Sequence, residues 1–378
     1  MSLLEAEPAG PTEPAAGAEP AAQTGRSAWV ARAKRLTPMA VLLVAVVLPW
    51  STLDVPVLFD GPLNSPGTLQ LLGVCLVFGG LALGYDLLFG HAGILSFGHA
   101  LFIGLGAYGT AILLGHAHWP LWTAVVVAAA GTAVVAALLG AVALRVAGIA
   151  LTMVTLAFAQ VGWIVVNRDP GGLTGGEEGL PLDSAALPSG LVGVANTVNL
   201  YWLALAFLVL VVLVVHGIRR APLGRVLTGL RDDERRIAVL GLSPYRVKLG
   251  TFILAAALAA LGGAVYVLVV GGATPYLAST DLTLSLIVMA VLGGAGTRWG
   301  AVLGGILYAY LDQRLTHVGG SLPGPLGQPL FVLGTLFVLA VAFVPGGLAG
   351  LRLPVELLRR GLRSGGPPGG GLRTRASR

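Results

Sequence analysis

Charge, sulfur and aromatic rings are what this chain has little of. Only 11% of its 378 residues are charged, 7% are aromatic, and one is a cysteine, Cys75, set inside an apolar run. A single cysteine excludes a disulfide framework or a thiolate metal cluster within one chain. No GxxxxGK[ST] loop is present to cradle ATP phosphates in that way, and no HExxH helix to hold zinc. His116 and His118, in HAHW, offer a metal two ligands but read first as residues of an interfacial loop. Asp86 is the one acidic residue clearly within an apolar segment. A charge at the centre of a bilayer costs at least about 2.5–3.5 kcal/mol, so Asp86 is expected to line a helix bundle or meet the interface. A proton-coupled carrier ordinarily carries more ionisable groups at that depth, so the energy for any transport is expected to come from elsewhere.

Apolar residues fill the space that charge leaves. They make up 56% of the chain, and the mean hydropathy is +0.86, which is the composition of a polytopic membrane protein. Glycine, at 56 residues, is about twice as frequent as usual; in lipid it lets helix backbones approach closely. The expected fold is all-α, a polytopic transmembrane helix bundle of about ten spans (eight to ten). The first span is placed near 39–50 and read as retained rather than as a signal peptide, because no small-residue cleavage site follows it before Asp54. The others are placed near 68–89, 92–114, 120–144, 147–167, 199–217, 249–271, 283–294, 298–315 and 328–348. Residues 1–36 and 352–378 have little to bury and read as disordered tails, the second of them basic; 37–351 form the transmembrane domain. With both termini in the cytoplasm, only Arg168 and Arg314 of the 23 Lys and Arg fall outside. That asymmetry supports the orientation and accounts for the net charge of +6 without nucleic acid.

One polar island interrupts the apolar runs, His216 to Leu249, within which 218–248 is read as a cytoplasmic loop. Pro222 suits a helix start, and Gly241 followed by Pro244 marks a stop. Val226, Leu230, Ile237 and Leu240 fall on one helical face, and Arg225, Arg231, Arg235 and Arg236 lie largely elsewhere. Two readings fit: a solvated loop that orients its neighbours, or a short helix that docks into a soluble partner.

Three Gly-rich stretches stand out. Gly84–Leu114 contains Gly93, Ser96, His99 and Tyr108; Ala143–Asn167 contains Thr152, Thr155 and Gln160 and runs on to Thr174 and Gly175; Val291–Gly305 repeats glycine at 296, 300 and 304. Each reads either as close helix packing or as a broken helix whose amides meet an anionic substrate group near the midplane.

These stretches, together with TMVTLAFAQ, the TGG that follows it, PLGR…LRDDE…LGLSPYRVKL and LGGAGTRWGAVLGG, occur in the order found in permease subunits of branched-chain amino acid ABC importers. Over roughly 68–348 the chain resembles the LivM-type subunit in particular. The resemblance implies that Gly224, Arg225, Leu230, Arg231, Asp232, Asp233, Glu234, Leu240 and Gly241 form a coupling segment seated in a groove of a separate ATP-hydrolysing subunit. Arg235 and Arg236 stand where relatives commonly carry an apolar residue and alanine, which points to a more electrostatic contact. The family further implies two ATPase subunits holding ATP and Mg, a second related permease subunit, an extracytoplasmic solute-binding protein and a bacterial cytoplasmic (inner) membrane. This chain would then hold no cofactor and carry no catalytic residue. The substrate path would draw on Gly93, Ser96, His99, Tyr108, Thr152, Thr155, Gln160, Thr174 and Gly175. A urea or short-amide permease of the same family, an ATPase-independent carrier or channel, and a membrane-embedded enzyme are the alternatives.

Overall fold

The computed structural model describes residues 45–51, 61–182, 187–191, 196–297, 299–319, 328–343 and 347–350. The chain divides into two compact units, Met1–Ser51 and Thr52–Arg378. Described residues of the first include the 3-10 turn Leu48–Trp50. The expected span at 39–50 lies largely outside the described residues, as do both tails, Asp54 and Arg298.

The second unit is built of helices: α1 Pro66–Asp86, running into a π turn Leu87–His91, α2 His99–Gly115, α3 Leu121–Ala143, α4 Ile149–Arg168 and α5 Thr197–Arg220. Two short helices follow, α6 Pro222–Asp232 and α7 Glu234–Val239. The remainder are α8 Pro244–Val270, α9 Thr280–Gly293, α10 Gly300–Gly319, α11 Pro329–Phe343 and α12 Gly347–Gly350. A two-stranded sheet pairs β1 Leu180–Pro181 with β2 Gly272–Ala273, antiparallel. By length and composition α1 with its π turn, α3, α4, α5 and α8 are able to cross a membrane. α2 and α9 are apolar but shorter, at 17 and 14 residues. Those two, with α10 and α11, cover the four other expected spans that fall on described residues.

Local chemistry accounts for the helix ends. Ser65 caps α1 by accepting a hydrogen bond from the Thr68 amide, with Pro66 in the first turn. Pro244 opens α8 and Gly271, at φ +89°, closes it. α1 and α8 lie at the centre: 78% of the apolar stretch of α1 is buried against 17% of that of α3, so most of the surface of α3 is left uncovered by the rest of the chain. α1 packs on α5, α10 and α8, while α2 packs on α8 and α3. The α2–α8 contact is a reciprocal glycine approach. A methyl group at Gly106 would collide with the Ala260 carbonyl, and one at Gly263 with that of Ile103.

At the far end of α4, Asp169 takes a left-handed backbone conformation at φ +45°. Its Oδ1 accepts the amides of Thr174 at 2.6 Å and Gly175 at 3.1 Å, and the Thr174 hydroxyl at 2.9 Å. The Thr174 amide foremost holds the Asp169 carboxyl below its ordinary range. A depressed folded-state pKa gives stability that is present above the unfolded value, about 4, and lost as pH falls through the folded one.

Two outcomes are expected. Gly263→Val should cost about 1–3 kcal/mol through overpacking, read as a lowered unfolding midpoint of the solubilised chain. Asp169→Ala should raise amide exchange at Thr174 and Gly175 near neutral pH, and wild type should approach that behaviour only below about pH 4.

Candidate functional site

The polar island folds as two helices rather than one. Asp233 breaks them apart with an extended backbone, φ −159° and ψ 106°, and its carboxylate caps α7 by accepting the amides of Arg235 at 2.9 Å and Arg236 at 3.4 Å. The acidic cluster, which falls inside what reads from the sequence as one short helix, is therefore the hinge between α6 and α7. Leu227, Leu230 and Ile237 are buried, and Gly229 leaves room for the Ile237 side chain, so the two helices close into a hairpin. Of the apolar stripe suited to docking, Leu230 and Ile237 are buried within this chain, whereas Leu240 is 74% exposed, beside Val239 at 87%, where α7 ends. Gly241 follows at φ +81° and ends the segment as its position suggested. Glu234 pairs with Lys248 at the start of α8, and Asp233 with Arg236. Gly224 sits so close to the backbone at Ile218 and Arg219 that any side chain would strike it at 2.7 Å. Arg225 and Asp232 are exposed.

Arg231 reaches the other way, into the bundle. Its Nη1 donates to the carbonyl of Gly90 in the π turn. That turn follows Asp86, which is fully buried. Both carboxylate oxygens of Asp86 accept the Gly296 amide, at 2.8 and 3.1 Å. His91 Nδ1 lies 3.1 Å from the Asp86 carbonyl oxygen and 3.5 Å from Oδ2. A methyl group at Gly90 would overlap the Asp86 carboxylate and the Gly296 amide, and one at Gly296, where φ is +73°, would press on Gly90 and Arg231. Three segments thus meet at one joint: the π turn ending α1, the loop between α9 and α10, and the C-terminal end of α6. A cavity of about 620 Å³ opens beside it. Asp86 was legible as a residue that had to find partners; Gly296, 210 positions away, was not.

Several of the expected path residues are tied to a break in the helical backbone. After the π turn the chain is non-helical over 92–98, with Gly93 at φ +69°, so α2 begins at His99 rather than near 92. There Thr155 accepts the Phe97 amide at 3.1 Å and donates to the Thr152 carbonyl at 2.9 Å, joining the broken segment to α4. Ser96 is buried: its hydroxyl accepts the Gly98 amide at 3.3 Å, and its carbonyl accepts the Tyr85 hydroxyl at 3.1 Å. The His99 ring is fully buried edge-on to Tyr85 and Phe102, with both nitrogens lacking a hydrogen-bond partner among the described residues. Thr283, which drew no attention in the sequence, accepts the Ala100 amide at 3.0 Å. Gln160 donates to Thr280 at 2.8 Å farther along α4. Tyr108 is buried in mid α2 without a partner for its hydroxyl among the described residues. Thr174 and Gly175 belong to the Asp169 turn, about 20 Å along α4 from Thr155 at 1.5 Å per residue. Several of these groups join helices to one another; the expected line of sites is spread along α2 and α4. Among the described residues no three His, Cys, Asp or Glu are grouped to hold a metal.

Comparison with known proteins agrees with this architecture. Residues 67–341 match the family described as the branched-chain amino acid transport system permease component. The chain is 27% identical over 354 residues to the high-affinity branched-chain amino acid transport system permease protein LivM of Escherichia coli, covering 88% of this chain and 79% of that one. It is 25% identical over 294 residues to the LivH permease protein of Salmonella typhimurium, covering 71% of this chain and 90% of that one. No solved structure matches. With a family match over most of its length and helices fit to span a bilayer, the chain is a multi-pass integral membrane protein and belongs to the branched-chain amino acid transport permease family.

Proposed function

We propose that this chain is a permease subunit of an ATP-driven importer that moves branched-chain or similar small amino acids across the bacterial cytoplasmic membrane. The observation that carries the reading is the α6–α7 hairpin. Leu227, Leu230 and Ile237 are buried, and the end of α7 away from the hinge exposes Val239 and Leu240. Large apolar side chains left uncovered at the end of a charged helix suit seating in a partner's groove. The partner is a cytoplasmic ATPase subunit, two per transporter, which binds ATP and Mg. A second, related permease subunit completes the path, and an extracytoplasmic binding protein delivers the amino acid. This subunit supplies path and lever and breaks no bond.

Force enters at the exposed end of α7 and passes through Arg231 to Gly90, then through the Asp86 carboxylate to Gly296. Both receiving segments are breaks in apolar helices, where small rotations are cheap. Nucleotide-dependent contacts at the hairpin bias the bundle only if they differ between its two states.

In reconstituted transporter, Gly224→Pro, or Asp232→Lys with Asp233→Lys, should abolish ATP-driven uptake with membrane insertion unchanged; normal uptake by these variants contradicts the lever. Arg231→Ala should leave ATPase subunits bound and hydrolysing while uptake per ATP falls on the order of tenfold, the loss of about one charge-assisted hydrogen bond. Unchanged stoichiometry would remove Arg231 from the route.

A further inference from the structure

The cavity beside the joint is rich in cationic side chains. Arg219, Arg220, Arg225, Arg231, His91 and His216 line it, and none of the described residues in its wall is acidic. Asp86 lies behind the wall. Arg220 and Arg225 are exposed and enter no ion pair with a described carboxylate. Thr228, whose hydroxyl donates to the Gly224 carbonyl at 3.0 Å, and several glycines make up the rest, leaving room for an anion to approach the backbone. Arg219 and Arg231 lie within electrostatic reach of Asp86, whereas the guanidinium forks of Arg220 and Arg225, which no described carboxylate pairs, suit phosphoryl oxygens, which they bind in pairs.

The second observation lies on α5. Ala206, Leu210, Leu213 and Gly217 are exposed on one face, and Arg220 continues the same face one turn later. Leu213 is 63% exposed, and nothing lies within 4 Å of where a Gly217 side chain would begin. From Ala206 to Gly217 the helix rises about 16 Å, close to half of a hydrocarbon core of about 30 Å. An uncovered apolar stripe one leaflet long, ending at a cationic cavity, has the form of an acyl chain and its headgroup.

We infer that the cavity and the α5 stripe together bind one anionic phospholipid, its phosphate among Arg219, Arg220 and Arg225 and an acyl chain along Leu210, Leu213 and Gly217. Basic pockets between helix ends hold such headgroups. The lipid clamps the base of α6 to the end of α5. Binding itself needs only the membrane-embedded fold; the clamp's effect on coupling rests on the permease reading.

The test uses the full chain in phosphatidylcholine bilayers doped with phosphatidylglycerol, with retained lipid measured by native mass spectrometry and titration. Phosphatidylglycerol should be retained over phosphatidylcholine of the same chains, and Arg220→Gln with Arg225→Gln should weaken that retention on the order of tenfold. Arg235→Gln, outside the cavity, should not. Gly217→Leu, which meets open space and leaves packing intact, should also lower retention by filling the stripe. Equal retention of the two lipids, or insensitivity to both cavity and stripe variants, overturns the proposal. Displacement of phosphatidylglycerol by inorganic phosphate at similar concentration reduces the site to a free-anion site and overturns the lipid assignment. Complete loss of the lipid when ATPase subunits are added makes the cavity a protein seat and overturns it likewise. All of these readings hold whether or not the chain supports ATP-driven uptake.

Discussion

A carboxylate inside an apolar bundle has to be answered, and the answer given to Asp86 organises this molecule. Its two oxygens share the Gly296 amide, and the same turn presents the Gly90 carbonyl to Arg231. Leaving a buried charged acceptor without donors costs several kcal/mol in lipid, more than any single apolar contact returns. The π turn after α1 and the loop before α10 are therefore held together, and Arg231 fastens the α6–α7 hairpin to the π turn. Glycine at 90 and 296 is required because these two backbones and the side chains of Asp86 and Arg231 come closer than a further side chain permits.

The rest of the bundle is assembled on a different principle. Apolar burial gives no net preference for helix over lipid, so contact has to come from close packing. The Gly106–Ala260 and Gly263–Ile103 approaches do this for α2 and α8. Side-chain hydroxyls then stitch breaks to neighbouring helices, as Thr155 does for the Phe97 amide and Thr283 for that of Ala100. Ser96 and Thr155, both expected on a substrate path, also satisfy interrupted backbone.

How much of this could be read from the chain differs by distance along it. Apolar runs set the helices, so α3, α4 and α5 fall within a few residues of expectation. Pro222 and Gly241 bracket the hairpin as their backbone preferences require. The break at Asp233 was harder to see, because Asp in a helical pattern is neutral until its side chain finds amides of its own to cap. Leu230, Ile237 and Leu240 share one face if the segment is one helix, yet the first two are buried within this chain and Leu240 is exposed. The pairing of Asp86 with Gly296 joins residues 210 apart and leaves no local signature.

The account stands on α6–α7 facing the cytoplasm as a lever with the end of α7 uncovered. Cys75, the one cysteine, is buried, so a thiol introduced by Val239→Cys would be the accessible one among the described residues. A membrane-impermeant maleimide offered to intact cells and to inside-out vesicles measures its side directly. The account predicts no labelling in cells, labelling in stripped vesicles, and protection when ATPase subunits are restored; labelling from outside intact cells would contradict it.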